Sequence, residues 1–252
     1  MTKSLHQYPP KDPTALQFTL KAADATEFAR ILEKINRFED YTQLIIRNSK
    51  IRQPLTNTGI YAETDLTNLI GAGINISFML SNKKLKKVSK LLKSGETSII
   101  HDKEDSVYWF RTGHQNEILD EIEGVDDAQL TVPVFTSAQY IGNPVVIADI
   151  LDIQKYIEKS SFVWLLVYAS QFEQILCHDR NSPYTLKATG AGSLEGKKPD
   201  MVFICHFFLT IAEKQTKLRL AQNVDGIWLV TETKLNSKSG NITIYQKLID
   251  NS

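Results

Sequence analysis

Residues 83–93 read KKLKKVSKLLK, six lysines in eleven positions with four apolar residues between them. On a wheel of about 100° per residue, the apolar residues cover one side, and all the lysines except Lys84 fall within an arc of about 120° on the other. The apolar set is Leu85, Val88, Leu91 and Leu92. The pattern predicts an amphipathic helix, ended by Gly95 as its C-cap, that packs its leucines on a sheet and presents its lysines to one shared surface.

The lysine face lacks compensating charge, because no Asp or Glu occurs between Lys83 and Lys93. A solvated helix surface usually mixes both signs, since i,i+4 ion pairs stabilise it. Lysine is a compact point charge that contacts phosphates without reading bases. Because the face also lacks aromatic residues, the pattern favours sequence-independent contact with a duplex backbone over stacking on single-stranded bases. A merely solvated lysine-rich face is the alternative.

The chain as a whole is electrically neutral, with 29 Lys plus Arg and 29 Asp plus Glu in 252 residues. Any affinity for nucleic acid therefore depends on where the charges lie. The length fits one large domain or two average ones. Two cysteines, Cys177 and Cys205, give no disulfide framework and suit a reducing compartment. With no run of 18 apolar residues and no apolar segment near the N-terminus, we predict a soluble protein that is not secreted.

Strand-like and helix-like segments alternate along the first half of the chain. Polar residues 1–14 are predicted to form an arm, and ALQFTLKA (15–22) a strand. In the next segment, Phe28, Ile31, Leu32 and Ile35 have helix-face spacing, and Asp24 or Thr26 is the predicted N-cap. TSIIHD (97–102) and SVYWFRT (106–112) predict a β-hairpin after the lysine-rich helix.

The second half repeats this pattern after a break. Residues 117–133 are predicted to be a linker, because five of the eight positions from Asp120 to Asp127 are acidic. A shift of 125 residues then places Phe28 on Ile153, and the basic pair Arg30 and Lys34 on Lys155 and Lys159. The match indicates a duplicated module. Its last helix is predicted to be short, retaining Lys214 and Lys217, and a loop is predicted from Asn181 to Pro199.

Patterns that suggest catalysis or metal binding are weak. Cys177-His178 and Cys205-His206 are suggestive, but neighbouring residues on a strand point to opposite faces, so the four do not easily converge on a metal. The glycines at 190, 192 and 196 lack G-x-G-x-x-G spacing. Residues 120–127 are acidic enough to bind a cation, although a solvated linker explains them more simply. We expect no enzyme activity, no cofactor and no metal.

Together these segments resemble the two-domain DNA sliding clamps of the proliferating cell nuclear antigen and phage kinds. The resemblance covers nearly everything after residue 14. It rests on ALQFTLKAADATEFARILEKI, FMLSNKKLKKVSKLLKSG, the acidic ILDEIEGVDDAQLTVPVF, the second copy VVIADILDIQKYIEK, and the closing strands TKLRLAQNVDGIWLVT and NITIYQKL. Two features depart from the family pattern: many clamps are strongly acidic, and the fourth helix here is short.

The resemblance implies an α+β fold, the DNA clamp fold, with two homologous domains that each pack two helices on antiparallel sheets. The implied division is an arm (1–14), a first clamp domain (15–119), an acidic connector (120–140) and a second clamp domain (141–252). Such chains close as homotrimeric rings around duplex DNA and act in DNA replication as processivity factors. The implied partners are DNA polymerase and a clamp loader. The implied location is cytoplasmic and nucleoid-associated, or nuclear.

The resemblance also implies two sets of site residues. The DNA-binding set is Arg30, Lys34, Arg37, Lys83, Lys86, Lys87, Lys90, Lys93, Lys155, Lys159, Lys214 and Lys217. The partner-binding set, beneath the connector and beside the last strand, is Leu130, Val132, Ile227, Tyr245 and Leu248. Plain core packing is the alternative for this second set. For the whole protein, the alternatives are a non-ring nucleic-acid-binding or protein-interaction module and, third, an enzyme acting on nucleic acid.

Overall fold

The computed structural model describes residues 17–36, 41–56, 59–125, 130–146, 162–168, 171–179, 182–187, 201–205, 216–234 and 241–250. The chain divides into two compact units. Unit 1 consists of Met1–Leu55, Thr64–Leu130 and Asn236–Ser239, and unit 2 of Thr56–Glu63, Thr131–Leu235 and Gly240–Ser252. None of the described helices is long and apolar enough to cross a membrane.

Up to residue 120, three helices alternate with eight strands among the described residues. The elements are β1 (Gln17–Leu20), α1 (Ala22–Ile35), β2 (Tyr41–Ile46), β3 (Lys50–Thr56), β4 (Ile60–Asp65), α2 (Thr67–Ile70), β5 (Ile76–Ser81), α3 (Asn82–Leu92), β6 (Thr97–Asp102), β7 (Val107–Thr112) and β8 (Gln115–Asp120). Strands β1, β6, β7 and β8 form an antiparallel sheet in that order, and β2 pairs with β5. The predicted hairpin is β6–β7 and is confirmed.

The core of unit 1 lies where α1 and α3 meet these sheets. Phe28 and Leu32 on α1 are fully buried, as are Val88 and Leu92 on α3. The Phe78 ring of β5 meets the Phe110 ring of β7 edge-on, with centroids 5.6 Å apart. Each buried aromatic or aliphatic side chain stabilises the fold by about 1.5–3 kcal/mol through removal from water. The spacing of apolar residues along α1 and α3 therefore decides which side of each helix is buried.

A side-chain amide joins β3 to β2 in unit 1. The two strands are connected by a two-residue turn with Asn48 and Ser49 at positive φ (49° and 61°), where Arg47 and Lys50 exchange both backbone hydrogen bonds. Beyond that bridge, the buried Gln53 of β3 makes the contact through its side chain: its Nε2 donates to the Gln43 carbonyl oxygen at 2.5 Å and its Oε1 accepts from the Ile45 N–H at 2.8 Å.

In unit 2 the described elements are strands and one short 3₁₀ turn, Ser137–Gln139. The strands are β9 (Tyr140–Val146), β10 (Phe162–Tyr168), β11 (Gln171–Asp179), β12 (Ser182–Lys187), β13 (Met201–Cys205), β14 (Lys217–Asn223), β15 (Gly226–Lys234), β16 (Asn241–Lys247) and β17 (Ile249–Asp250). One antiparallel sheet has the order β12-β11-β10-β13-β17. Another runs from the Ile60–Glu63 part of β4 through β16, β15 and β14 to β9.

The observed fold is α+β with antiparallel sheets, as predicted, and the local corrections concern element ends. Helix α1 begins at Ala22, with Lys21 as its N-cap, so Asp24 and Thr26 lie inside the first turns and the N-cap prediction was wrong. Helix α3 ends at Leu92 with Lys93 as C-cap, so Gly95 does not cap it. Strand β8 occupies the start of the predicted linker, and β12 lies in the predicted 181–199 loop. The predicted helices after residues 147 and 205 lie outside the described residues.

Candidate nucleic-acid interface and docking pocket

Helix α3 separates its leucines from its lysines as the sequence pattern predicts. Ser81 precedes the helix as N-cap, and its Oγ accepts the Lys84 backbone N–H at 3.2 Å. Val88, Leu91 and Leu92 are buried, and Leu85 is half-buried. The five lysines predicted for the opposite face are all exposed: Lys83, Lys86, Lys87, Lys90 and Lys93. The helix therefore presents a continuous basic surface, which we call the lysine face.

Two lysines of the lysine face have acidic partners from other elements. Lys87 Nζ lies 3.5 Å from Glu117 Oε1 of β8, and Lys93 Nζ lies 2.5 Å from Glu33 Oε1 of α1. Ser89 also donates its hydroxyl proton to Glu33. Among the described residues, no carboxylate lies within 4.0 Å of the ammonium groups of Lys83, Lys86 or Lys90. The lysine face thus keeps an excess of positive charge that attracts a polyanion.

Helix α1 lies beside α3 but presents less free charge. Arg30 is half-buried, and its Nη1 lies 3.0 Å from Oε2 of Glu27, which is only 3% exposed. Lys34 is 5% exposed, so its predicted position on an open DNA-facing surface was wrong. The buried surface of α1 extends beyond its apolar residues, because the polar Glu27, Lys34 and helix-end Asn36 are buried as well.

Of the other predicted DNA-binding residues, the structure describes one, Lys217. Lys217 is exposed, but it is the first residue of strand β14 and not part of a helix. Arg37, Lys155, Lys159 and Lys214 lie outside the described residues, so their contact with DNA stays a prediction. The described part of the predicted inner surface is therefore the lysine face, with Arg30 beside it.

A cavity of about 580 Å³ opens on unit 2 beside the segment that starts at Thr131. Val132 and Pro133 form one wall, and Tyr61 and Trp228 form another. Gly59 also lines the cavity; it has a φ of +89°, and a Cβ on it would lie 3.1 Å from the Lys247 Cβ, so glycine is required there. We call this cavity the docking pocket.

Aromatic side chains pack against one another beside the docking pocket. The Phe135 ring lies 5.9–6.2 Å from the rings of Tyr140, Trp228 and Tyr245, and the Tyr61 and Trp228 centroids are 5.8 Å apart. Trp228 Nε1 donates to Asn223 Oδ1 at 2.9 Å, which fixes the orientation of the indole. Offset and tilted aromatic pairs add about 0.5–1.5 kcal/mol each beyond the area they bury. The cluster therefore holds an apolar wall in place while the pocket is open.

Charges and hydroxyl groups surround the aromatic cluster. Arg219 places its guanidinium 4.1 Å from the centroid of the Tyr140 ring, as in a cation–π contact. Tyr245 donates its hydroxyl proton to Glu63 Oε2 at 2.8 Å. Burial, and then the hydrogen bond to Glu63, raise the pKa of Tyr245 far above its ordinary value. Tyr245 is therefore a neutral hydrogen-bond donor that ties β16 to β4 at all physiological pH values.

The structure gathers some of the predicted partner-binding residues but not all. Val132 and Tyr245 are 7% and 8% exposed and belong to one cluster with Trp228. Ile227 and Leu248 meet through a backbone hydrogen bond of 2.9 Å from the Leu248 N–H to the Ile227 carbonyl. Leu130 instead lines a separate cavity of about 270 Å³ in unit 1. Of the five, Val132 is the one that lines the docking pocket itself.

Sequence reasoning missed the aromatic residues of the docking pocket. Tyr61, Phe135, Tyr140 and Trp228 come from three segments that are far apart in the chain, and each segment looks like an ordinary strand or loop. The sequence carries no signal for this cluster, and the structure adds one: Val134 is 72% and Val224 101% exposed, each next in the chain to a pocket residue, Pro133 and Asp225.

Across the described part of the chain, no group of three or more His, Cys, Asp or Glu residues is placed to hold a metal ion. Cys177 and Cys205 both pair with Val163, from opposite sides of β10. Their backbones are therefore two strand spacings apart, about 10 Å.

No protein-family model matches the sequence, and no curated protein sequence matches it. Among solved structures, PCNA from A. fulgidus with the C-terminal region of FEN-1 bound matches with a TM-score of 0.58 and 11% identity, over 94% of this chain and 99% of that one.

Two further structures show the same likeness. The PCNA2–PCNA3 complex from Sulfolobus tokodaii matches with a TM-score of 0.58 and 11% identity, over 92% of this chain and 99% of that one. PCNA from Thermococcus kodakaraensis matches with a TM-score of 0.55 and 14% identity, over the same shares of the two chains. The chain has the PCNA-like clamp fold, and at these identities the likeness extends to the fold alone.

Proposed function

We propose that this chain, whose fold is that of the PCNA clamps, is a DNA sliding clamp and replication processivity factor. It encircles duplex DNA as a homotrimeric ring and holds DNA polymerase on the template, without catalysing a reaction. The observation that carries the proposal is the lysine face: five exposed lysines on one helix of a clamp fold, three of them with no carboxylate within 4.0 Å in the described residues.

The lysine face suits a contact that holds DNA without fixing its position. Lysine ammonium groups meet phosphates as point charges, and phosphate contacts carry no sequence information. The contact is screened by salt over about 8–10 Å, so the ring slides instead of binding one site. Lys83, Lys86, Lys87, Lys90 and Lys93 are the principal DNA-facing residues in this proposal, with Arg30 beside them. Arg37, Lys155, Lys159, Lys214 and Lys217 complete the proposed inner surface.

Ring closure in this proposal joins edge strands of neighbouring copies. Strand β8 is at the edge of the four-stranded sheet of unit 1, and β12 is at the edge of the five-stranded sheet of unit 2. Each strand has six residues. Pairing β8 of one copy with β12 of the next removes both open edges and repeats head to tail until the ring closes. Each copy is proposed to consist of an arm (1–14), a first clamp domain (15–119), a connector (120–140) and a second clamp domain (141–252).

The docking pocket is the proposed site for replication partners. The similar PCNA from A. fulgidus has the C-terminal region of FEN-1 bound. In the present chain, an apolar segment of DNA polymerase or of a clamp loader would occupy the space between Val132 and Trp228, against Tyr61. The exposed Val134 and Val224 would extend that contact beyond the pocket. Buried aromatic anchors typically dominate such interfaces. The setting proposed for this activity is the cytoplasm, on the nucleoid, or the nucleus.

Solution mass is the direct test of the ring. One chain has a mass of 28.5 kDa, so light scattering should give about 86 kDa for a trimer at micromolar concentration. The purified ring should also remain on circular duplex DNA and leave when that DNA is cut to a linear form. A mass of one chain at every concentration would contradict the ring and favour a non-ring nucleic-acid-binding or protein-interaction module.

A further inference from the structure

One edge of β8 carries backbone groups that no strand of its own sheet satisfies. The β7–β8 hairpin has a two-residue loop that begins with Gly113 at a φ of +57°, and Thr112 pairs with Gln115 across it. A loop of this length closes on a hydrogen-bonded pair, after which hydrogen-bonded and open pairs alternate. Glu121 N–H donates to the Ser106 carbonyl at 2.9 Å, which agrees with this phase.

It follows that the backbone groups of Asn116, Ile118 and Asp120 point away from β7. Asn116 and Ile118 each offer one N–H and one carbonyl along the open side of the sheet. At Asp120 this side is already used within the chain, because the neighbouring Glu121 bridges to Phe78 of β5 and the Ile122 N–H donates to the Ser77 carbonyl. Two outward pairs therefore remain for a strand from another chain. The Ile118 carbonyl already accepts a hydrogen bond from a side chain.

Lys84 is the lysine of α3 that makes this contact. It is half-buried, whereas the five members of the lysine face are exposed. Its Nζ lies 2.7 Å from the Ile118 carbonyl oxygen, a short charge-assisted hydrogen bond. The carboxylate of Glu117, one residue away, is paired with Lys87 instead. Lys84 therefore occupies the position that an incoming backbone N–H would take.

We propose that Lys84 guards the open edge of β8 until a second copy of this chain adds its strand there to close the proposed ring. The inference rests on the proposed ring and deepens it. The occupant is β12 of the next copy, because β12 is an equally long edge strand. The sequences are also complementary in charge, since β8 (QNEILD) has two acidic residues and β12 (SPYTLK) has one lysine.

The exchange of partners at Ile118 makes closure reversible. A backbone N–H from the arriving strand replaces the Lys84 ammonium, which swings into solvent, where it is well hydrated. The free chain is protected from pairing with unrelated strands, because edge lysines are a common defence against such pairing. Each closure forfeits one charge-assisted bond, so the interface is weaker than an unguarded edge would be and opens more readily.

Removing the guard is the test. Lys84→Met should tighten self-association about three- to tenfold in sedimentation equilibrium, because the Ile118 carbonyl is then free for the incoming strand. Lys84→Arg keeps the donor and should assemble like the unaltered chain. Lys21→Met removes the same charge from an exposed lysine just before α1 and should change nothing. Assembly by Lys84→Met that is unchanged or weaker overturns the guard.

Amide hydrogen exchange locates the interface and separates the two proposals. On assembly, exchange should slow at Asn116 and Ile118, while Glu117 and Leu119, already bonded to β7, change little. A trimer without that alternating protection overturns the β8 edge and leaves the ring standing. A chain that stays single at all concentrations overturns both.

Discussion

Helices α1 and α3 lie side by side in unit 1, and both carry basic residues opposite an apolar stripe, yet they use those residues differently. On α3 the five lysines are exposed and Ser81 caps the helix start. On α1, Lys34 is buried and Arg30 is tied to Glu27. The difference lies in the carboxylates: α1 contains Asp24, Glu27 and Glu33, whereas α3 contains none. Positive charge next to carboxylates supports packing, and positive charge without them is available to a partner.

Reversing the lysine face should have the largest effect. Changing the whole lysine face to Glu should lower affinity for duplex DNA on the order of a hundredfold or more at low salt, because every phosphate contact becomes repulsive. The five changes are at Lys83, Lys86, Lys87, Lys90 and Lys93. Fluorescence anisotropy with a labelled duplex measures the loss. The fold should persist, since these side chains are exposed.

A matched variant controls for net charge. Lys21, Lys50, Lys103, Lys234 and Lys247 are also exposed, and none lies on α3. Changing these five to Glu alters the chain's net charge from 0 to −10, as the first variant does. It should retain most of the DNA affinity. Equal losses in the two variants would mean that bulk charge, and not the lysine face, attracts DNA.

The second prediction concerns stability and separates the two helices. Glu27→Gln on α1 should lower the free energy of unfolding by about 1–3 kcal/mol, because it leaves the half-buried Arg30 without its carboxylate. Lys90→Gln on the exposed face of α3 should change it by less than about 0.5 kcal/mol. Urea titration followed by circular dichroism measures both. A larger loss for Lys90→Gln than for Glu27→Gln would reverse the comparison.

The third prediction distinguishes lysines within the lysine face. Lys90→Ala should reduce the slope of log affinity against log salt by about one, the loss of one phosphate contact. Lys87→Ala should reduce it less, since Glu117 already competes for that ammonium at 3.5 Å. Glu117→Gln should strengthen DNA binding slightly. If Lys87→Ala and Lys90→Ala reduce this slope equally, the ion pair between Lys87 and Glu117 contributes nothing measurable in solution, as is found for many exposed pairs.

The fourth prediction, which has the smallest effect at ordinary pH, concerns Tyr108 and the pH dependence of stability. Tyr108 is on β7, in the sheet on which α3 packs. Burial, and then the Glu121 carboxylate, raise the pKa of Tyr108 on β7 to about 12. The folded chain therefore keeps this proton at pH values where the unfolded chain releases it. Stability should be fully present below pH about 10 and fall as the pH rises from about 10 to 12. Tyr108→Phe should flatten that fall, which urea titrations at several pH values would detect.

The lysine face was predictable from sequence because its determinants are local. Residues three and four apart on one helix decide which lysines are exposed, and the prediction for α3 is correct residue by residue, with Lys84 at the edge of the arc. The same reasoning failed for Lys34, because the surroundings that bury α1 are not encoded within α1. Local pattern gives the faces of a helix but not what covers them.

The docking pocket and β8 were not predictable for a different physical reason. Tyr61, Phe135 and Trp228 meet only because β4 joins the sheet of unit 2, and no spacing rule links positions so far apart. The end of β8 was interpreted as linker because five of the eight positions from Asp120 to Asp127 are acidic, and Glu117 was included in that segment. In the structure those charges are tolerated by an edge position and by partners such as Lys87 and His101.

The amide of Gln53 has a consequence for inheritance. It serves two backbone groups of β2 at once, the Gln43 carbonyl and the Ile45 N–H. Glutamate has the same shape but, when ionised, no proton to donate, so even that replacement takes this partner from the carbonyl. A descendant of this chain that loses the glutamine therefore takes this partner from at least one of the two backbone groups.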